Sequence, residues 1–352
     1  MNDSDNLIVD TATKLLQDLS TPSIINDAEA GKWPGGLWDA LEESGLTLTW
    51  VSDELGGAGA EVSDGFAVLK VAGLFTAPVP LAETLLAGWL LGQAGMNVPA
   101  GPMTAGPVYA DASIDLNGGK LTGSARHLPF ARSAKHIALI VRDGGTPKVA
   151  LVAVADCAIA HGVSLAGEPR DDVSFDGVTP LKVSPAPAGL DETRLAMVGA
   201  AMRSVQMAGA LQKILDQSVQ YATERVQFGR PIGKFQAIQH SLAELAGEVA
   251  AAGAAADAAA EAVARGAFDD ADVADIATAK IRVGEAASTG SAIAHQVHGA
   301  MGFTYEHSLH HATRRLWAWR DEFGNEAQWS IRLGHLVAKR GADDLWPFIT
   351  GA

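Results

Sequence analysis

Near the C-terminal end of the sequence, RRLWAWRDEFGNEAQW sets Asp321 and Glu322 among Trp317, Trp319, Phe323 and Trp329. A carboxylate enclosed by aromatic rings loses solvation, its pKa rises, and it can take a proton from carbon near neutral pH. The same residues fit a solvated acid on a helix whose other face is packed. A second stretch, ERVQFGRPIGKFQAIQHSLAEL (224–245), carries Arg225, Arg230 and Lys234 beside Phe228 and Phe235, where a helix must begin. Cations at the head of a helix suit a pyrophosphate, because free N–H groups and the helix dipole act in the same direction. Phe228 can stack on a purine. The plainer alternative is a basic turn between helices with two core aromatics. A third stretch, QVHGAMGF (296–303), offers the Gln296 amide at a helix end. Gly299 and Gly302 let a backbone pass close to a ligand, although a glycine cap explains the pattern equally well.

The elements that must position these residues fall into three segments. Residues 1–103 read as helical: Leu7, Ile8, Ala12, Leu15, Leu16 and Leu19 form one stripe, and PLAETLLAGWLLGQAG supplies a strongly apolar helix. The Gly-rich DELGGAGAEVSD has no preceding strand and no following Lys-Ser/Thr, so it reads as a connecting loop rather than a phosphate loop. Residues 104–188 carry short β-type runs, KHIALIV and KVALVAVA, between turn clusters such as LNGGK and RDGGTP, which predicts a small antiparallel barrel or sandwich. From 189 to 352 the chain is helical again. Leu195, Val198, Met202, Val205, Leu211, Leu215, Val219 and Ala222 make a sustained stripe on a helix of about 45 Å. An Ala-rich helix and two more follow. The expected fold class is α+β: an N-terminal helical domain, a central β domain and a C-terminal four-helix bundle.

The totals set limits. The chain has 352 residues, 48% hydrophobic and 19% charged, with a net charge of -15. So acidic a chain repels a phosphate backbone, which argues against nucleic acid as a partner. Cys157 is the single cysteine, so no disulfide within the chain and no thiolate cluster is expected. The first residues lack a basic segment followed by an apolar one, and no apolar run reaches ~18 residues. The expectation is a soluble cytoplasmic protein with no membrane partner. His295, His298, His307, His310 and His311 cluster late in the sequence without a known metal-ligand spacing, so they read as solvated or interface histidines and no metal is expected.

Taken together and in this order, the ERVQFGRPIGKFQAIQHSLAEL stretch, the Ala-rich helix and QVHGAMGFTYE followed by Arg314 and Arg315 resemble the acyl-CoA dehydrogenase family. The resemblance is specific from about 190 to 330 and looser before that. It implies FAD as cofactor, an acyl-CoA thioester as substrate and an electron-transferring flavoprotein as acceptor. By the same resemblance, Arg225 reaches the pyrophosphate of an FAD held by a neighbouring subunit, and Gln227 and Phe228 lie along it. Phe235 and Gln236 match contacts at the next helix start. Gln296, Gly299 and Ala300 match the stretch at the adenosine end, with Ala300 standing where the family usually has a second glycine.

The family reaction needs a carboxylate base that removes the α-proton while a hydride leaves the β-carbon. The two positions at which the family places that base align with Phe323 and Gly199, and neither is an acid. Glu322 is one residue off, and on a helix one step turns a side chain by about 100°. Glu192 lies about two helical turns from Gly199. The segment AGPVYADASIDLNGGKLTGSARHLPFARSAKHI also lacks the family's two flavin-ring patterns. The resulting expectation is the shorter, base-lacking subunit of a heteromeric acyl-CoA dehydrogenase acting on a bulky, steroid-like acyl-CoA. Its partner would be a longer subunit, in a heterotetramer. The rival readings are a self-sufficient homo-oligomer that uses Glu322 as base, a non-catalytic scaffold subunit, and an oxidase or monooxygenase on the same fold.

Overall fold

The computed structural model describes residues 3–109 and 112–350. Ala110 and Asp111, within the segment that replaces the flavin-ring patterns, lie outside the described residues. The chain divides into two compact units, 1–199 and 200–352.

The first unit opens with five helices: α1 (Asp3–Leu19), α2 (Pro22–Glu29), α3 (Gly35–Glu43), α4 (Val62–Leu74) and α5 (Leu81–Gln93). The stripe on α1 is buried at Ala12 and Leu16, whereas Leu7 is exposed. α5 carries apolar residues on every side, and every residue from Leu81 to Leu91 is buried, Glu83 and Thr84 included. A helix with no polar face must be enclosed. α5 packs against α4 and against three strands, β1 (Met103–Gly106), β4 (His136–Asp143) and β5 (Thr146–Ala153).

Those strands belong to one eight-stranded sheet with β2 (Ile114–Asn117), β3 (Lys120–Pro129), β6 (Ala158–Ala160), β7 (Arg170–Val178) and β8 (Lys182–Pro185). Its order is β6-β7-β3-β2-β4-β5-β8, and β1 also pairs with β4. The runs KHIALIV and KVALVAVA fall on β4 and β5, but the sheet is mixed rather than purely antiparallel. β1 and β2 both run parallel to β4. The β2–β3 hairpin lies between β1 and β4 in the chain and supplies the crossover that a parallel pair needs.

The long helix α6 (Glu192–Glu224) crosses the division at 199/200. In the second unit it is followed by a two-residue hairpin, β9 (Val226–Gln227) with β10 (Arg230–Pro231), then α7 (Gln236–Arg265), α8 (Asp270–His298), α9 (Leu309–Arg320), α10 (Glu326–Arg340) and the short α11 (Leu345–Thr350). α7 buries Leu245, Val249, Ala252, Ala256, Ala259, Ala262 and Val263, a three-and-four spacing that lays it along α8. Gly290 shows how closely the helices approach: a Cβ there would lie 3.1 Å from Leu245 of α7 and 3.3 Å from Leu211 of α6. The α6 stripe is buried through Leu211, while Val219 is exposed. No helix among the described residues is long and apolar enough to cross a membrane.

Candidate functional site

α6 ends at Glu224, and Arg225 begins the hairpin, its carbonyl accepting the Ile232 N–H at 2.8 Å. The two turn residues, Phe228 and Gly229, both have positive φ, +53° and +77°. Two left-handed residues are what a tight hairpin turn demands. Glycine meets that demand without strain, whereas a bulky side chain rarely does. The outcome is a Phe228 ring 90% exposed, edge-on to Phe235 at 6.1 Å. Arg230 stacks over Phe235 at 4.2 Å. Arg225 makes no side-chain hydrogen bond or ion pair among the described residues.

α8 brings the third stretch to the same place. Arg225, Gln227, Phe228 and Phe235 line one groove of about 390 Å³ with Gln296, Gly299 and Ala300. Seven of the eight expected contact positions therefore converge. Gln236, the first residue of α7, is exposed and is not part of the wall. The groove also includes Tyr221, Ile232, Ile238, His298 and Met301, which the sequence reading missed. Tyr221 was within reach of that reading, since it lies one helical turn before Arg225 on the same face. A Cβ at Gly299 would meet nothing within 4 Å, so the backbone there is open to a ligand.

The acid region differs from its expectation. α9 ends at Arg320, so residues 321–324 form a turn, and the rotation of 100° per residue does not apply. Asp321 is solvent-exposed. Glu322 is 2% exposed, and its Oε2 accepts from Arg203 Nε at 2.6 Å. Arg203 is itself buried and donates also to Gln206. Phe323 is buried at φ +54°, and its carbonyl accepts from the Trp329 indole at 2.9 Å. At Gly324 (φ +93°) a Cβ would come within 2.7 Å of that indole nitrogen. Lys280 of α8 donates to the Arg320 carbonyl at 2.6 Å, capping the end of α9. Its complete burial pushes the ammonium pKa down to about 7, opposed by the Glu322 charge.

The second candidate position, Gly199, is a buried residue inside α6. The acid nearest to it in sequence, Glu192, is held by Arg142 at 2.8 Å. Glu322, beside one expected base position, and Glu192, about two helical turns from the other, are thus each the counter-ion of a named arginine. Cys157 is partly buried, and desolvation with the Asp156 charge raises its thiol to about 11, which makes it inert as a nucleophile.

The histidines correct an expectation. His295, His298, His310 and His311 are buried rather than solvated. Their end of the bundle supplies ring partners: Tyr221 stacks on His298 at 4.5 Å, and His307 stands edge-on to it at 4.7 Å. Burial lowers the pKa of His295, His298 and His307, and takes His311 to about 3.

N-terminal helices, a mixed sheet and C-terminal helices whose break forms a groove lined by Arg225 and aromatic rings are the order of elements expected of the acyl-CoA dehydrogenase class. The family model "Acyl-CoA dehydrogenase, C-terminal domain" matches residues 189–326. Acyl-CoA dehydrogenase FadE27 of Mycobacterium tuberculosis is 30% identical over 306 residues, covering 78% of this chain and 80% of that protein. Acyl-CoA dehydrogenase IpdE2 of Mycolicibacterium smegmatis is 27% identical over 320 residues, covering 88% and 91%. The ChsE4-ChsE5 complex of Mycobacterium tuberculosis is similar in fold, with a TM-score of 0.86 at 21% identity over 97% of this chain and 99% of that one. The chain belongs to the acyl-CoA dehydrogenase family. It is an oxidoreductase or a subunit of one, in a family whose cofactor is FAD.

Proposed function

We propose that this chain is the base-lacking subunit of a heteromeric acyl-CoA dehydrogenase that desaturates a bulky, steroid-like acyl-CoA. The observation that carries the reading is the burial of Glu322 in its ion pair with Arg203, beside a Phe323 where the base is expected. Two proteins of similar fold, the Tcur3481-Tcur3483 steroid ACAD G363A variant and the ChsE4-ChsE5 complex, support the same reading.

The groove's donor set fits the dinucleotide part of FAD. It offers the unpaired Arg225 guanidinium for a pyrophosphate, the Gln227 and Gln296 amides for polar edges, the exposed Phe228 ring for a base, and open backbone at Gly299. When bound, FAD supplies the acceptor for the hydride that leaves the β-carbon. This chain's residues bind and orient, and the full-length partner contributes the proton-accepting carboxylate. On this reading the segments 1–103, 104–188 and 189–352 act as three domains, the last contributing to FAD and to oligomerisation. The electron acceptor is an electron-transferring flavoprotein, and the enzyme works in the cytoplasm.

The test is flavin content and turnover of the chain purified alone and co-expressed with a full-length acyl-CoA dehydrogenase subunit encoded beside it. The expected result is little flavin alone, one FAD per heterodimer in the complex, and turnover that Glu322→Gln barely changes. Full activity of the isolated chain, lost in Glu322→Gln with fold and flavin intact, would establish the self-sufficient enzyme instead. A colourless complex would establish a scaffold, and oxygen consumption during turnover an oxidase.

A further inference from the structure

Within the first unit, the α2–α3 junction (28–34), the turn after β3 (130–133) and the loop from β6 to β7 (161–169) line a cavity of about 350 Å³. It shares no lining residue with the groove described above. Two of its walls are tied together by Asp171, which is fully buried. Asp171 accepts the Arg132 backbone N–H at 2.8 Å, Arg132 Nε at 2.8 Å, Arg132 Nη2, and the Gly162 N–H at 3.1 Å. Arg132 Nη2 donates also to the Gly162 carbonyl.

A guanidinium carries five N–H donors. Those on Nε and Nη2 are committed to Asp171 and Gly162, and those on Nη1 have no partner among the described residues. The Arg132 side chain lines the cavity and is 25% accessible, so a ligand can reach it. Phe130, which opens the same turn, is buried at φ +54°. A bulky residue rarely holds that conformation, and such strain gathers at ligand sites. Trp33 supplies a flat surface: it lines the cavity, is 43% exposed, and is braced by the buried Trp38 at 5.9 Å. Ser133 and His161, also on the wall, make no side-chain hydrogen bond among the described residues.

The free groups are donors at Arg132 Nη1, with a hydroxyl and an imidazole that can also donate, so the occupant must accept. Charge decides which acceptor. Lys32 pairs with Asp27 at 2.9 Å, Arg132 pairs with Asp171, and Glu29 on the wall adds a further acid. No net positive charge remains among these groups to offset the desolvation of an anion. We propose that this cavity binds a small, flat, neutral ketone, whose carbonyl accepts from Arg132 Nη1 while its ring lies against Trp33. The volume sits at the low end of the ~300–1,000 Å³ of ligand pockets, which limits the occupant to about two rings. The site depends neither on FAD nor on the missing base, so it is tested on the full chain without flavin.

The probe is 2-acetylnaphthalene, titrated by calorimetry. The analogue without an acceptor is 2-ethylnaphthalene, and the anion is 2-naphthoate. The expected result is saturable binding of the ketone at one per chain, at least tenfold weaker binding of the ethyl compound, and no gain in affinity for 2-naphthoate. Arg132→Lys keeps a cation against Asp171 but loses the planar fork. It should weaken the ketone at least tenfold and leave the ethyl compound unchanged, a contrast that mere loosening of the loops would not give. Trp33→Ala should weaken both naphthalenes at least fivefold at unchanged melting temperature. Absence of saturable binding, equal affinity for the ketone and the ethyl compound, tighter binding of 2-naphthoate, or ketone affinity indifferent to both substitutions would overturn the assignment.

Discussion

Two residues show opposite ways in which a side chain becomes unavailable or available for chemistry. Glu322, on the proposed reading, is removed from chemistry by its partner: with both it and Arg203 buried, separating the pair strands a charge away from water. Arg203→Met should therefore destabilise the chain by about 3–5 kcal/mol, read in urea unfolding. Arg203→Met/Glu322→Leu should recover most of that loss, because an apolar pair of similar volume has no desolvation to offset. A double variant as unstable as the single one would show that Arg203 serves something other than Glu322. Phe228 is made available by its backbone. Held at φ +53° in the hairpin, its ring has nowhere to go but outward. Such strain costs about 1–3 kcal/mol, and glycine would relieve it at an entropic cost of ~0.5–1. Phe228→Gly should raise the melting temperature slightly while lowering flavin retention by the complex. A variant that gained stability and held flavin fully would remove Phe228 from the proposed site.

Among the elements, helix ends carry most of the specificity, and they were unevenly legible. The limits of α6 and α7 follow from Gly229, Pro231 and Gly233, and the groove between them follows from cations and aromatics at that break. The turn at 321–324 was not legible as a turn. Nothing local announces that Phe323 takes a left-handed φ; the Trp329 indole, six residues on, and the Asn325/Gln328 capping box of α10 impose it. The histidines misled for a related reason: polar residues default to solvent, and only packing among Tyr221, Phe303 and Trp317 encloses them. That packing has a pH consequence. His295, His298 and His311 each have a folded pKa below the unfolded value of 6.5, so the unfolded chain binds more protons as pH falls. Stability should be complete above about pH 6.5 and decline below it, with His311 drawing the loss down to about pH 3. At pH 5 His311 alone accounts for roughly 2 kcal/mol, and urea midpoints at pH 7.5 and 5 should show it, with His311→Gln flattening the slope. Packing of α8 on α10 is as tight. A Cβ at Gly284 would lie 1.9 Å from Glu326 Oε1 and 2.7 Å from its Cγ, displacing a carboxylate that pairs with Arg320. Gly284→Ala should cost about 1–3 kcal/mol, and Glu326→Ala in that background should return part of it. Simple additivity of the two would place the strain elsewhere.

For the whole molecule, the bundle retains a complete groove while the expected base positions hold Phe323 and Gly199. On the proposed reading such a chain supplies half of a binding site, and half-sites have a thermodynamic signature. A ligand that binds only the folded form stabilises it by RT ln(1 + [L]/Kd), about 2.7 kcal/mol at a hundredfold excess over Kd. If FAD is gripped jointly, adding it should raise the unfolding temperature of the co-expressed complex and leave that of the isolated chain nearly unchanged. Arg225→Ala should shrink the shift in the complex, because the guanidinium is the groove's unpaired cation, and should leave the isolated chain's own melting point nearly in place, because Arg225 makes no side-chain hydrogen bond or ion pair among the described residues. An isolated chain that FAD stabilised as strongly as the complex would hold the cofactor by itself, and the shared site would have to be abandoned for a self-contained one.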